Sequence, residues 1–216
     1  GRQVMKAAIF DLDGTLIDSM GVWDKIGRDF LASRGLAAPD DLSRIVKNMS
    51  FSESARYYIG RFALPDGLEQ LIDIWNTMAY REYAENIELK PGVREYLIQC
   101  KEKDIRMGIA TATDRKLVEA VLTRHKIFDF IETIVTIAEI GRGKEYPDIF
   151  LAAARELGTV PQECIVFEDS LHAVKGAREA GMKVWAVYDP ASEHEKAELE
   201  RIADRFLLTG FTGLTG

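Results

Sequence analysis

The sequence predicts an α/β protein, in which a core built on a parallel sheet is interrupted by an inserted helical domain. Two observations carry this prediction. From residue 84 onward, short apolar runs alternate with segments of helical spacing, and this alternation indicates βαβ units and a parallel sheet. Between residues 20 and 83, helical spacing repeats with little strand pattern. The predicted domains are a core segment 1–17, a helical cap 18–83 and the rest of the core, 84–216.

The first strand is the apolar run Ala7–Phe10, which leads straight into Asp11. A short apolar run bounded by turn residues is typical of a strand buried on both faces, although the pattern alone also allows a buried helical segment. Helical spacing then begins in the cap with Val22, Ile26 and Phe30. The cap helices are expected to begin near Val22, Asp41 or Ser43, Ser52 and Leu68.

Strands and helices alternate through the rest of the chain. Pro91 lies near the start of the first of these helices, where its missing N–H costs nothing. The predicted strands are Arg106–Thr111, Ile131–Ile137, Cys164–Phe167, Val184–Val187 and Arg205–Leu208. The predicted helices are Val93–Lys101, Asp114–His125, Pro147–Leu157, Leu171–Ala180 and Glu193–Arg201.

The composition is that of an ordinary globular protein, with 47% hydrophobic and 29% charged residues. A net charge of −7 argues against a nucleic-acid-binding surface, so we expect no nucleic-acid partner. The two cysteines, Cys100 and Cys164, lie in apolar contexts typical of buried thiols rather than of a bridge. No signal peptide or membrane span is visible. A cytoplasmic protein without a membrane partner, either a monomer or a weak homodimer, is therefore expected.

Two carboxylates on alternate residues follow the first strand. Asp11 and Asp13, with Gly14 and Thr15 directly after them, give a compact acidic site on a sharp turn. Oxygen ligands at this density suit Mg²⁺, which proteins usually hold by one or two carboxylates together with substrate phosphate. A calcium loop starting at Asp11 would need Gly and Glu where the chain has Leu16 and Val22, so that alternative fails. These residues alone also allow an alternative interpretation, in which they form an ordinary Asp-Gly turn with no catalytic role.

Polar residues also follow three later predicted strands, near the carboxyl ends where a site in a parallel sheet is expected. Thr111 ends a strand just before a helix N-terminus, which offers unpaired N–H groups to an anion. Lys144 lies in a glycine-flanked loop and would neutralise phosphate charge, with Arg142 a weaker candidate for that task. Glu168 and Asp169 end a buried strand, where unpaired carboxylates are costly, so a cation shared with the first two acids is the economical partner.

This ordered set of motifs closely resembles the haloacid dehalogenase-like hydrolase superfamily, in the branch with a helical cap after the first strand. The motifs that carry the resemblance span essentially the whole chain and are FDLDGTLIDS, ATATD, GKxxPDIF and FEDSLHAVKGAREAGM. The resemblance implies a Rossmann-like parallel sheet, which agrees with the pattern of alternating strands and helices. It also implies phosphate chemistry on a small-molecule phosphate ester.

The resemblance further implies a role for each matching residue. Asp11 would attack phosphorus and form an aspartyl-phosphate, and Asp13 would act as general acid and then general base. Mg²⁺ would be held by the carboxylates of Asp11 and Asp169 and the backbone carbonyl of Asp13, with Glu168 either a ligand or an outer contact. The transferring phosphoryl group would be held by Thr111, Lys144 and backbone N–H groups, including that of Ala112.

The cap departs from the pattern of a related sugar-phosphate mutase, β-phosphoglucomutase. That enzyme's cap has a His and an Arg where this chain has Trp23 and Phe51, although Lys47 and Ser50 match. A mutase must hold a second phosphate in its cap, and the missing Arg makes this harder. The sequence therefore favours a Mg²⁺-dependent phosphatase acting on a small phosphorylated metabolite, with a mutase or a non-catalytic phosphate-binding domain as alternatives.

Substrate choice is expected to depend on the cap. A cap that closes over the substrate can select it by the residues that face the site. The cap residues predicted to set specificity are Trp23, Lys47, Asn48 and Met49.

Overall fold

The fold is taken from a computed structural model, which describes residues 5–47 and 49–215. The chain divides into two compact units. One unit comprises the described residues of Gly1–Met20 and Ile87–Gly216, and the other comprises those of Gly21–Asn86. The predicted cap, 18–83, and the second unit, 21–86, differ by three residues at each end.

In the part of the chain that the structure describes, the first unit is built on one sheet of six parallel strands. Its spatial order is β3-β2-β1-β4-β5-β6, the doubly wound order in which β1 lies at the centre. In the central register, Ala7 pairs with Arg106 on one side and with Cys164 on the other. The strands are β1 Ala7–Phe10, β2 Arg106–Thr111, β3 Thr133–Thr136, β4 Cys164–Glu168, β5 Lys183–Val187 and β6 Arg205–Leu207.

Helices cover the sheet, as βαβ crossovers require. Alternate residues of a strand point to opposite faces of the sheet, so β1 is apolar throughout and β4 is apolar up to its last residue, Glu168. The first unit's helices are α5 Val93–Glu102, α6 Arg115–Arg124, α7 Ile137–Ile140, α8 Asp148–Glu156, α9 Leu171–Glu179 and α10 Lys196–Ile202. Short 3-10 turns occupy Phe128–Phe130, Pro161–Glu163 and Pro190–Glu195.

The two faces of the sheet have different cores. On one face, strand residues such as Ile9 and Val166 pack with the apolar sides of α8 and α9. On the other, Phe10 stacks on Phe167 at 4.8 Å between ring centroids, and Tyr96 and Phe211 complete an aromatic cluster. Burial of aromatic side chains on this scale is a main stabilising contribution for a sheet with helices on both faces.

The second unit is helical and has its own core. Trp75 is at its centre and contacts the rings of Phe30, Phe51 and Tyr58, the last at 4.8 Å between centroids. Its α-helices are α1 Val22–Ser33, α2 Leu42–Val46, α3 Phe51–Arg61 and α4 Leu68–Arg81, and a π-helical segment, Glu82–Asn86, follows them.

The predicted elements can be compared directly with these bounds. β1 and β2 lie where the sequence predicts them, and the alternation of strands and helices is as expected. The predicted helix Glu193–Arg201 is a 3-10 turn, Pro190–Glu195, followed by α10. The reason is local: the side chain of Asp189 accepts a hydrogen bond from the N–H of Ala191 at 2.8 Å and starts a tight turn at Pro190. Within the described residues, the helices all fall short of the length and apolarity needed to cross a membrane.

Candidate active site

The carboxyl ends of β1 and β4 define the candidate site. These two strands are neighbours, and the chain leaves them toward opposite edges of the sheet, because β2 and β3 lie on one side of the pair and β5 and β6 on the other. In open α/β sheets such a switch point forms a crevice where ligands bind. Asp11 follows β1 here, with its N–H bonded to the carbonyl of Phe167 at 2.9 Å, and Asp169 follows β4.

The turn after β1 brings the first acidic loop against the second. Gly14 has a φ of +81°, and its N–H donates to the carbonyl of Ile17 at 3.0 Å. A Cβ at Gly14 would lie only 2.3 Å from Oδ2 of Asp169. Glycine is therefore needed for both the backbone conformation and the close approach of the carboxylate. Thr15 is buried in the same turn and donates its hydroxyl hydrogen bond to Oδ2 of Asp11 at 3.1 Å.

Lys144 is a buried ammonium shared by two carboxylates. Its Nζ donates to Oδ1 of Asp11 at 2.6 Å and to Oε2 of Glu168 at 2.9 Å, and its side chain is only 5% exposed. Burial by itself lowers the pKa of a lysine, but the charges of Asp11 and Glu168 outweigh it and raise the pKa of Lys144. The group stays protonated at neutral pH and offers a fixed positive charge to an anion.

Three carboxylates crowd together beside this ammonium. Ligand oxygens of Asp11, Glu168 and Asp169 all lie within 4.8 Å of one another, and the three residues are buried. Burial and the charge of Glu168 raise the pKa of Asp11 to about 6. Burial and the charges of Asp11 and Glu168 also raise the pKa of Asp169. One ammonium does not balance three carboxylates, so the donor set fits a hard divalent cation with oxygen ligands, such as Mg²⁺.

Glu168 is held from two sides. Besides the bond to Lys144, its Oε1 accepts hydrogen bonds from the N–H groups of Asp169 at 3.0 Å and Ser170 at 3.4 Å. Burial opposes ionisation of this carboxyl, yet the charge of Lys144 and hydrogen bonding with the side chains of Asp169 and Lys144 lower its pKa. Ser170 precedes α9, but its hydroxyl donates to Glu168 at 3.4 Å rather than capping the helix. These donors orient Glu168 toward Lys144.

Asp13 has hydroxyl partners that the sequence reasoning missed. The hydroxyl of Ser19 donates to Oδ1 of Asp13 at 2.6 Å, and that of Thr113 donates to Oδ2. Each of these hydroxyl residues lies shortly before a helix, where such residues are common as helix caps, so nothing in the local sequence marks them as partners of Asp13. The signal that could have found Thr113 is its place after a strand that neighbours β1, although this needs the sheet order.

Two of the three residues predicted to bind phosphate, Thr111 and Ala112, lie at the end of β2. Thr111 is buried at the last position of that strand, and its Oγ1 accepts a hydrogen bond from the N–H of Thr113 at 3.0 Å. Ala112 is exposed. Arg142, the weaker candidate, is exposed, pairs with Asp148 at 3.4 Å and has its guanidinium 4.1 Å from the ring centroid of Tyr146. Those contacts indicate a surface role for Arg142.

The predicted specificity residues belong to the helical unit. Trp23 on α1 is 45% exposed, and its ring contacts Phe51 at 5.3 Å between centroids. Lys47 is exposed and Met49 is half-buried. Asn48 lies outside the described residues. Their role in substrate choice stays a prediction.

The sheet order, the switch-point acids and the buried lysine define a doubly wound α/β protein with an acidic, lysine-containing site at the carboxyl ends of its strands. Residues 8–187 match the family described as haloacid dehalogenase-like hydrolase, and the chain belongs to this family.

Several relatives are similar over most of the chain. Hexitol phosphatase B of Escherichia coli is 30% identical over 90% of this chain and 88% of its own length. The phosphorylated carbohydrates phosphatase of Thermotoga maritima is 30% identical over 83% of each chain. Among solved structures, a candidate β-phosphoglucomutase from Thermotoga maritima superposes with a TM-score of 0.86, at 28% identity over 95% of each chain. These similarities confirm the predicted family and fold and agree with the predicted class, a phosphoric monoester hydrolase.

Proposed function

We propose that this protein is a Mg²⁺-dependent phosphatase that hydrolyses a small phosphorylated metabolite, with phosphorylated sugars and sugar alcohols as the first candidates. The observation that carries the proposal is the buried Lys144, bonded to Asp11 and Glu168 beside Asp169. A fixed ammonium next to a carboxylate cluster is suited to phosphoryl transfer, which needs mainly positioning and charge neutralisation. The substrate class is suggested by the phosphatases that resemble this chain.

Mg²⁺ would be held by Asp11 and Asp169 through their carboxylates and by Asp13 through its backbone carbonyl. When bound, the ion would neutralise the charge of the substrate phosphate and of the clustered acids. Glu168 is given an outer role, in which it holds the ammonium of Lys144 beside the proposed metal site through their 2.9 Å hydrogen bond.

In the first half-reaction a carboxylate oxygen of Asp11 attacks phosphorus. A new bond forms between that oxygen and phosphorus, and the bond from phosphorus to the ester oxygen breaks. Asp13 gives its proton to the departing alcohol oxygen. Lys144 and the hydroxyl of Thr111 would hold the transferring phosphoryl group.

In the second half-reaction the aspartyl-phosphate is hydrolysed. Asp13, now ionised, accepts a proton from a water molecule, whose oxygen attacks phosphorus. The bond between phosphorus and Asp11 breaks, and inorganic phosphate leaves. The cycle returns Asp11 as a carboxylate and Asp13 in its protonated form, so atoms and charge balance.

Steady-state phosphate release from a panel of esters tests this proposal. The panel comprises p-nitrophenyl phosphate, hexose phosphates, hexitol phosphates and a nucleoside monophosphate, each assayed with Mg²⁺ and with EDTA. Asp11→Asn should lower kcat by at least about 10³-fold, because the nucleophile is lost. The control Asp129→Asn changes an exposed Asp of the same unit. No Mg²⁺-dependent release from any ester by the folded wild type would overturn the proposal.

A sugar-phosphate mutase is the second candidate, favoured by the similarity to the candidate β-phosphoglucomutase. The same protein is therefore incubated with a hexose 1-phosphate and a catalytic amount of hexose 1,6-bisphosphate. Isomerisation faster than phosphate release would favour the mutase. Hydrolysis without isomerisation would favour the phosphatase.

The cap residues Trp23, Lys47, Asn48 and Met49 are proposed to select the substrate. Their substitution by Ala should change the ranking of the esters more than it changes the rate with p-nitrophenyl phosphate, because a small aryl ester depends little on contacts beyond its phosphate.

A further inference from the structure

Each carboxylate oxygen of Asp13 accepts a hydrogen bond from a hydroxyl group. Ser19 donates to Oδ1 from the same loop, and Thr113 donates to Oδ2 across 100 residues of sequence. The loops that carry Asp13 and Thr113 follow neighbouring strands, since Phe10 pairs with Ile109 in the sheet. The bond from Thr113 therefore fixes Asp13 relative to the sheet, whereas the bond from Ser19 is local.

The hydroxyl of Thr113 does not cap the helix that follows it. Asp114, not Thr113, occupies the N-cap position of α6, and the Thr113 hydroxyl is directed to Asp13 instead. The N–H of Thr113 donates at the same time to Oγ1 of Thr111 at 3.0 Å. One residue thus connects the proposed general acid with a proposed phosphate-binding hydroxyl.

We propose that Thr113 is a positioning residue that orients the carboxyl of Asp13 for proton transfer to the leaving alcohol. This inference rests on the proposed phosphatase function. A carboxyl that can rotate about its Cβ–Cγ bond delivers its proton from many orientations, and a hydrogen bond to one oxygen restricts that rotation. General acid catalysis depends on the proton lying within hydrogen-bond reach of its acceptor.

The consequence is a dependence on the leaving group. An alkyl alcohol is a poor leaving group that needs its proton as the ester bond breaks, whereas p-nitrophenolate leaves readily without one. The value of kcat/KM reports all steps up to departure of the alcohol, so it isolates the first half-reaction. Loss of a positioning hydroxyl should therefore lower kcat/KM for alkyl esters much more than kcat/KM for the aryl ester.

The test compares kcat/KM for p-nitrophenyl phosphate and for the best alkyl phosphate of the panel in Thr113→Val. The ratio of alkyl to aryl values should fall by about 10-fold or more, a part of the 10²–10⁴-fold that general acid catalysis supplies. Thr113→Ser keeps a hydroxyl and should restore the ratio to within about threefold. Thr123→Val, at an exposed threonine of α6, is the matched control. Thr113→Ala serves as a second variant if Val does not fold.

The outcomes separate the inference from the function on which it rests. A wild-type ratio in a folded Thr113→Val or Thr113→Ala protein, with hydrolysis intact, would overturn the role of Thr113 and leave the phosphatase standing. A fall in the ratio that Ser does not rescue would also overturn it, because the hydroxyl would then not be the cause. An inactive wild type would overturn both.

Discussion

At the scale of single residues, the site depends on one buried positive charge. Lys144 bonds to Asp11 and Glu168, both of them buried, so its removal leaves two carboxylates without their common partner. An ion pair of this kind adds little net stability when intact, but breaking it is costly, because the remaining charges stay buried and uncompensated. The same residue is the proposed counter-charge for phosphate, so both the stability of the fold and the proposed catalysis depend on this side chain.

Lys144→Met tests this double role. We expect kcat/KM to fall by at least about 100-fold, because a fixed electrostatic contact to the transferring group is lost. The free energy of unfolding of the metal-free protein should fall by about 3–5 kcal/mol, measured by denaturant titration. Lys101→Met, at an exposed lysine of α5, is the control and should change neither quantity appreciably. A Lys144→Met protein with wild-type stability and activity would contradict this assignment.

Asp11 should link metal binding to pH. Its pKa is raised to about 6 by burial and by the charge of Glu168, from an ordinary value of 3.8. A carboxyl with a raised folded-state pKa stabilises the fold while it is protonated, and this contribution is lost as the pH rises from about 4 through 6. A cation bound to the ionised carboxylate competes with the proton and offsets that loss.

The rise in thermal midpoint caused by a saturating Mg²⁺ concentration should therefore be larger at pH 7.5 than at pH 5. Differential scanning calorimetry at both pH values, with and without Mg²⁺, measures the difference. Asp11→Asn is the comparison, because an amide does not titrate, and its pH dependence should be weaker. An equal Mg²⁺ effect at both pH values in the wild type would contradict linkage through this cluster.

The sequence predicts the charged part of the site better than its hydroxyl contacts. Asp11 and Asp169 are visible because acids at the ends of buried strands are unusual and need a partner. The bond between Thr113 and Asp13 is not visible, because a threonine before a helix is common and the pairing depends on which strands are neighbours. The charged residues can therefore be predicted from the local motifs, whereas the hydroxyl contacts can be predicted only once the order of the strands in the sheet is known.

At the scale of elements, the position of Lys144 depends on how its loop packs against α9. A Cβ at Gly176 would lie 1.9 Å from the backbone carbonyl oxygen of Lys144 and 3.0 Å from that of Tyr146. The missing side chain lets the loop lie directly on the helix. α9 also begins just after Asp169, so one helix supports both the lysine loop and an acid of the site.

Gly176→Ala should therefore disturb the position of Lys144 in the site, although Gly176 itself lies outside the site. The methyl group must displace the loop, and overpacking of this kind costs about 1–3 kcal/mol of unfolding free energy. We expect kcat/KM to fall at least about 10-fold as Lys144 shifts from Asp11.

The matched control is Gly60→Ala in α3, where a Cβ would meet nothing within 4 Å. Alanine there should stabilise the helix by about 0.5–1 kcal/mol, since glycine is the poorer helix former. Denaturant unfolding and ester kinetics on both variants make the comparison. A Gly176→Ala protein that behaves like Gly60→Ala would show that the loop is not held by this contact.

The secondary structure was predictable wherever hydrophobic periodicity controls it. β1 and β2 are apolar runs with turn residues on both sides, and their bounds agree with the prediction. Periodicity fails where a side chain redirects the backbone. The turn at Pro190 is fixed by a hydrogen bond from Ala191 to Asp189, and a helical pattern in the following residues conceals it.

At the scale of the whole molecule, each unit has a separate apolar core. The helical unit packs around Trp75, and the sheet unit packs on the two faces of its strands. The sequence predicts the insertion because the hydrophobic period changes there. The place of each boundary is harder to predict, since helical character continues past residue 83 as a π-helical segment to Asn86. Such a segment has no distinct periodicity in the sequence.

The two cysteines offer a measure of how cooperatively the sheet unit opens. Cys100 on α5 and Cys164 on β4 are both buried free thiols. Burial raises the pKa of Cys100 to about 11 and also raises that of Cys164, so little thiolate forms at neutral pH. Both thiols should react with an aromatic disulfide reagent only when the unit unfolds.

We expect the native protein at pH 7.5 to label at both thiols with the same slow rate, and denatured protein to label at once. The single variants Cys100→Ala and Cys164→Ala separate the two thiols. If labelling requires global unfolding under equilibrium conditions, Mg²⁺ at 100 times its dissociation constant should slow both rates by about 100-fold, because a ligand of the native state stabilises it by about 2.7 kcal/mol at that excess. A thiol that labels quickly, or whose rate ignores Mg²⁺, would locate a part of the sheet unit that opens independently of the metal cluster.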